Sequence, residues 1–197
     1  MSNNLYEYYT TSPYIKGDVG EVVIASELRD KCNMIVLRNL YFPADTHFTE
    51  VDIVAISSKG VFIIESKNYK GEVTGGLNDK YWSVRYSVSH TERLYNPILQ
   101  NKLHLIAVKS YLYDFGITDI PIFKPVIFSN KSKLKLRDCE KSVFTLDNFI
   151  NKYNNLDIEL ISSDTIDKLV SLFKPLSNQS YEMRLLHLSL LDRKESC

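Results

Sequence analysis

The sequence predicts an α/β fold: a mixed central β-sheet flanked by helices, with a mostly helical C-terminal extension. Three observations carry this expectation. Two consecutive runs, EVDIVAI over 50–56 and VFIIESK over 61–67, are apolar on both faces, as central strands covered on both sides are. One helical segment precedes them, and a second, opened by Asn96-Pro97, follows. The last third of the chain reads mainly as helices. A length of 197 residues suits one domain with an appendage, and 44% hydrophobic with 24% charged residues excludes a disordered chain.

The elements are expected in this order. Residues 1–15, rich in Tyr, Ser, Thr and Asn and interrupted by Pro13, read as an arm. A helix is predicted over Lys16–Lys31, because Ile24, Ala25, Leu28 and Cys32 recur at helical spacing. Met34–Leu40 is a short strand, and Pro43–Phe48 a loop. The two central strands are joined by Ser57-Ser58-Lys59-Gly60, a turn signal. Tyr69–Ser87, with Gly71, Gly75 and Gly76, reads as a further hairpin. Asn96 suits a helix N-cap and Pro97 the first helical position, and the helix should run to about Phe115 with Gly116 as its stop. Ile122–Ser129 is a strand that Pro125 pushes towards an edge or a bulge. Val143–Leu146 is a last short strand, and helices at about 146–153, 164–173 and 180–192 follow. Taken as domains, these give an arm at 1–15, a core at 16–130 and an extension at 131–197 packed on the core or at a dimer interface.

Met1–Thr10 holds no Lys or Arg and no apolar run, so no secretory signal is expected. No stretch approaches the roughly 18 apolar residues of a spanning helix. The expectation is a soluble, cytoplasmic protein with no membrane partner. Cys32, Cys139 and Cys197 are widely spaced and form no zinc-site pattern, so they read as structural thiols. The 24 basic and 24 acidic side chains leave a net charge of +0, which excludes a broad electrostatic coat for nucleic acid but permits a local basic site.

The chemistry gathers at Asp52 and at Glu65-Ser66-Lys67. Glu65 and Lys67 lie two apart in a strand and share a face. An even loop centred on Ser58-Lys59 makes paired positions sum to 117 and sets Asp52 directly opposite Glu65, with Cβ atoms roughly 4.5–5.5 Å apart. An odd loop with a Gly60 bulge shifts the register by one. Facing carboxylates in an apolar sheet repel and are costly to bury, and a divalent cation removes that cost. A neighbouring lysine can orient a water or stabilise developing negative charge. The set therefore suits phosphodiester hydrolysis; the plainer reading is a polar strand end with a solvated lysine. Glu21, within GDVGE, lies in line with Ile24, Ala25 and Leu28, so its carboxylate can reach the same place, or it can simply complement the helix dipole. Gln100, in the first turns of the long helix, suits a phosphate or the attacking water, or is a solvated residue beside the cap.

The motifs GDVGE, EVD, VFIIESKNYKGEV, KYW and NPILQ, in this order over about residues 16–130, resemble the nuclease-related domain (NERD) family of the PD-(D/E)xK nuclease superfamily. The resemblance implies a restriction-endonuclease-like core and a Mg²⁺-dependent DNA endonuclease, with Mn²⁺ able to substitute. Glu21 matches the acid of the first helix, Asp52 the metal-binding aspartate, Glu65 and Lys67 the E-x-K pair, and Gln100 the helical glutamine. Asp52, Glu65 and the Ser66 backbone carbonyl would hold the metal, with Glu21 direct or through water, and Glu50 in a supporting role. Lys67 would position the water. The superfamily's proline before the aspartate is replaced by Val51, as is usual in this family. Phage defence, mobile-element maintenance and DNA repair are all open settings.

Lys70, Lys80, Arg85, Tyr69 and Asn96 are candidate DNA contacts, and Lys131, Lys133, Lys135, Arg137 and Lys141 could extend a basic rim or be a solvated surface. Tyr69, Tyr81 and Trp82 either stack on bases or pack in the core. His47 lies near the site in sequence, whereas His90, His104 and His187 read as ordinary surface or core residues. Tyr181–Arg193 is apolar on more than one face, which points to packing on the domain or to a homodimer. The alternatives to a DNA endonuclease are a non-catalytic module binding nucleic acid or protein, and an RNA nuclease. With four acids gathered at one site, DNA binding without metal should be weak and strongly salt-sensitive.

Overall fold

The computed structural model describes residues 13–44 and 47–177. The expected arm lies mostly outside them; helix α1 (Pro13–Cys32) begins within it and extends the predicted helix at both ends. Ile24, Ala25, Leu28 and Cys32 form its buried face, as their spacing requires. The helix stops at Asn33, whose left-handed backbone (φ 51°) an asparagine tolerates.

Strands β1 (Ile35–Ala44), β2 (His47–Ser57) and β3 (Gly60–Lys67) form an antiparallel meander. β1 runs through Pro43 to pair Ala44 with His47, so the expected 43–48 loop is mostly strand. Proline is tolerated there because β1 is the edge strand and Pro43 needs no ladder donor. The β2–β3 connection has two residues, Ser58-Lys59, and Ser57 faces Gly60. Gly60 sits at φ 136°, and a Cβ there would lie 2.8 Å from the Pro121 carbonyl oxygen, so glycine is required twice over. The even loop is thus the one adopted, and paired positions sum to 117 down to Ile53↔Ile64.

β3 is central. On its far side it pairs, in parallel, with β7 (Ile122–Phe123) and β8 (Val126–Phe128). The predicted 122–129 strand is split at Pro125, which has no N–H for the ladder. Its second half, β8, is interior, because β10 (Val143–Thr145) pairs with β8 and closes the order β1-β2-β3-β8-β10, whereas β7 lies off this path and pairs with β3.

The expected hairpin at 69–87 is part of a larger second sheet of four strands. The sheet contains β4 (Glu72–Gly76) and β5 (Tyr81–Arg85), which form the hairpin, plus β6 (Thr91–Tyr95) and β9 (Lys133–Arg137), in the order β6-β5-β4-β9. β9 is the basic run: Leu134 and Leu136 pack inward while Lys133, Lys135 and Arg137 point out. Residues past 130 therefore complete both sheets before helices α3 (Leu146–Asn154) and α4 (Ser163–Ser177). The expected helix at 180–192, Cys197 and His187 lie outside the described residues.

Helix α2 (Pro97–Asp114) starts as predicted: the Asn96 side chain accepts from Ile98 N at 2.9 Å, and Pro97 opens the first turn. The first sheet is covered on both faces. Ile53, Ala55 and Ile64 meet α1 and α3, while Val54, Ile56 and Ile63 meet α2 and α4. A third cluster, around Trp82 and Phe128, joins the two sheets. Among the described residues, no helix is long and apolar enough to cross a membrane.

Candidate active site

The site forms where β2 and β3 part. Their ladder ends at Ile53↔Ile64, and β3 continues alone against β8 through Glu65, Ser66 and Lys67. Continuing the register sets Asp52 opposite Glu65. The Asp52 carboxylate, half-buried, now takes the bond a strand would have made: Oδ2 accepts from Ser66 N at 2.8 Å.

Glu65 is far more enclosed, with its side chain 1% exposed, and both of its oxygens are engaged. Oε1 lies 2.6 Å from Lys67 Nζ, and Oε2 lies 3.1 Å from His104 Nε2. Lys67 Nζ also reaches Gln100 Oε1 at 3.4 Å. The expected E-x-K pair and the helical glutamine are therefore in contact. Glu21 accepts from Arg38 at 3.2 Å and is close enough for its charge to act on Asp52. Glu50 pairs with Tyr41 in the β1–β2 ladder, two positions before Asp52.

The two facing acids differ in kind. Burial pushes the Asp52 carboxyl well above its ordinary 3.8, the Glu65 and Glu21 charges push it further, and Lys67 and the Ser66 N–H do not reverse this. Burial pushes Glu65 up as well, but Lys67 and His104 outweigh it and hold its pKa below the ordinary 4.5. Burial alone would lower the Lys67 ammonium, yet Glu65 and Asp52 overcome that and raise its pKa. Lys67 is thus a fixed cation, and Asp52 is the acid still lacking one.

A bound cation would offset that imbalance at Asp52. Among the described residues, no group of three or more His, Cys, Asp or Glu forms a ready side-chain cage. The donors present are two facing carboxylates, the Ser66 carbonyl and the nearby Glu21, all hard oxygens. This set fits Mg²⁺, which takes one or two carboxylates and keeps water and phosphate oxygens as its other ligands.

Lys67 opens into a cleft of about 810 Å³ lined by Gly20, Asn68, Lys70, Asn130 and Lys131 among others. Tyr86, His90 and Glu92 form part of its wall. A Cβ at Gly20 would lie 2.7 Å from the Asn68 Cβ, so the second glycine of GDVGE is what lets α1 approach the end of β3.

Of the expected nucleic-acid contacts, only Lys70 and Lys131 line this cleft. Arg85 bonds Glu72 at 2.7 Å and Lys135 bonds the same carboxylate at 2.8 Å, while Arg137 bonds Asp79 at 2.9 Å. Lys80 lies over the Tyr81 ring, which also carries Arg93. Asn96 is fully buried: besides capping α2 it donates to Leu77 O and Asp79 O, so its amide is committed to the fold. Trp82 is core, donating to Gly76 O at 2.9 Å, and Tyr69 is partly buried against the same cluster.

His104 is the residue that sequence reasoning missed. Its sequence context marks it only as an ordinary surface or core histidine, yet it is buried with its ring against the Glu65 carboxylate. One signal pointed to it: it lies four residues after Gln100, on the same helix face.

Over residues 16–129 the sequence matches the nuclease-related domain (NERD) family. An uncharacterized protein of Bacillus anthracis, pXO1-01, is 26% identical over 147 residues, covering 73% of this chain. The chain spans 65% of that relative's length. A crystal structure of a protein of unknown function, AF1548, aligns with a TM-score of 0.38 and 15% identity, covering 79% of this chain and 77% of that one.

Proposed function

Since this chain belongs to the nuclease-related domain family, we propose that it is a metal-dependent endonuclease that hydrolyses DNA phosphodiester bonds. The supporting observation is the meeting of Asp52, Glu65 and Lys67 on adjacent strands, beside a cleft with Lys70 and Lys131 in its lining. Asp52, Glu65 and the Ser66 carbonyl would hold Mg²⁺, with Glu21 contributing directly or through water. When bound, the ion polarises the scissile phosphate and lowers the pKa of its water.

The chain's own residues do the rest. Lys67, kept protonated by Glu65 and Asp52, orients the attacking water and stabilises the negative charge that develops on the phosphate. Gln100 accepts from Lys67 Nζ and aims it. Lys70 and Lys131 hold backbone phosphates along the cleft, with Asn68 and Asn130 as neutral partners. The zero net charge fits such an arrangement, in which affinity is local and metal-assisted.

The deciding experiment incubates purified protein with single-stranded, duplex and branched DNA and with RNA. Cleavage of a DNA form with Mg²⁺ or Mn²⁺, stopped by EDTA, is expected. Cleavage confined to RNA would make it an RNA nuclease. Binding without turnover of any form, equal in wild type and Glu65→Ala, would make it a binding module.

The cleft residues carry a separate expectation. Without metal, Lys70→Ala and Lys131→Ala should each reduce the slope of log affinity against log salt by about 0.9 for duplex or about 0.7 for single strands. Arg85→Ala, whose guanidinium is held by Glu72, should leave the slope unchanged. Equal slopes for all three variants would remove the cleft from the DNA path.

A further inference from the structure

We infer that His104, anchored by Thr49, is a positioning residue of the nuclease site, fixing the Glu65 carboxylate with Oε1 on Lys67 in the orientation in which it would serve the metal; this rests on the metal-dependent reading above. Two bonds define the device. His104 Nε2 lies 3.1 Å from Glu65 Oε2, and His104 Nδ1 lies 2.9 Å from Thr49 Oγ1. A carboxylate only accepts, so Nε2 donates to it, and in the neutral ring Nδ1 accepts from the Thr49 hydroxyl. The imidazole is held from both sides, between β2 and β3.

The arrangement links the elements that build the site. Thr49 lies three residues before Asp52 on β2, and His104 lies one helical turn after Gln100 on α2. One face of α2 therefore touches both members of the E-x-K pair, Gln100 on Lys67 and His104 on Glu65. With Oε1 on Lys67 and Oε2 on His104, the Glu65 carboxylate cannot turn without breaking a bond in a site from which water is nearly excluded. A ligand whose far side is held this way keeps its orientation and basicity, and losing such a partner commonly weakens metal binding 10- to 100-fold.

A purely architectural role for His104 is poorly supported. The seating of α2 is already secured by Asn101, whose amide donates to Ile63 O and Pro125 O at 3.0 Å each, and by the Asn96 cap. His104 adds a bond to neither strand's backbone among those described. Among the described residues its two polar contacts are Glu65 and Thr49, the residue that orients it.

The test measures Mn²⁺ affinity of DNA-free protein by electron paramagnetic resonance of the free ion, together with kcat, KM and circular dichroism. The variants are His104→Leu, His104→Gln and Thr49→Val, with Glu65→Ala as the reference. His104→Leu should stay folded, bind Mn²⁺ about 10- to 100-fold more weakly, and lose kcat with KM for DNA unchanged. His104→Gln, which keeps a donor, should recover most of the affinity. Thr49→Val, which leaves the imidazole but removes its anchor, should weaken Mn²⁺ binding in the same direction, and it decides the matter if His104→Leu does not fold. Mn²⁺ affinity and kcat within twofold of wild type in the folded histidine variant, or in Thr49→Val where that variant decides, overturn the inference while leaving the nuclease reading intact. Wild-type Mn²⁺ affinity in Glu65→Ala overturns the metal-site reading and this inference with it.

Discussion

Lys67→Ala is expected to lower kcat for metal-dependent DNA cleavage on the order of 100- to 1,000-fold, as loss of a preorganised charge at a developing oxyanion does. The same change should destabilise the protein. Glu65 has a side chain only 1% exposed, and it loses a partner 2.6 Å away. Removing one member of a fully buried ion pair costs about 3–5 kcal/mol. Here the cost should fall below that range, because His104 still holds Oε2 and Lys67 reaches the cleft. Each kcal/mol lowers Tm by about 2–4 °C in a chain of this size. Assays should therefore be run well below the variant's own Tm, with circular dichroism as the control. A folded Lys67→Ala protein that cleaves DNA at the wild-type rate would exclude Lys67 from the chemistry.

Asp52→Asn should move the two readouts in opposite directions. Cleavage should be lost, because the metal loses a carboxylate ligand. The metal-free protein should become more stable, because the fold raises the Asp52 pKa and so disfavours its ionised form. An asparagine oxygen can still accept from Ser66 N. The sign can be followed with pH. A carboxyl whose pKa is raised on folding carries no penalty while it is protonated in both states. The penalty sets in as pH rises through the unfolded value near 3.8, and it is complete above the folded value. The gain in Tm from Asp52→Asn should accordingly be absent at the lowest pH and grow as pH rises. Glu65 acts oppositely: its stabilising contribution is present above its ordinary 4.5 and is lost as pH falls through its lowered folded value. Metal-free thermal melts across that range test the point. A neutral-pH Tm for Asp52→Asn equal to or below that of wild type would mean that Asp52 is not under electrostatic strain. Stability gained by removing a functional acid is the usual mark of a site built for binding rather than folding.

The parts of the protein governed by short-range rules were legible in the sequence. The buried face of α1 follows from the spacing of Ile24, Ala25 and Leu28. The start of α2 follows from the chemistry of Asn96-Pro97. The doubly apolar runs are central strands, and the two-residue Ser58-Lys59 turn carried the register from Ser57↔Gly60 to the level of Asp52 and Glu65. What could not be read depends on partners distant in the chain. Of the second sheet only the β4–β5 hairpin is legible: TERLY shows no alternation, and the basic run KLKLR becomes a strand of this sheet through its pairing with β4. Pro43 in an edge strand and Pro125 between β7 and the interior β8 depend on which neighbour each lacks or meets.

The same division runs through the site. By itself the sequence determined which candidate side chains come together, because a β-strand's period of two and a short turn leave Asp52, Glu65 and Lys67 few places to be. Only the tertiary structure decided their states. It placed His104 and Lys67 on Glu65 and left Asp52 with a backbone N–H, so that one carboxylate is stabilised as an anion and the other is not. Helical spacing says that Gln100 and His104 share a face, but not which groups that face meets. Charge and burial at those distances are set by packing of α2 against β3, which no local pattern encodes.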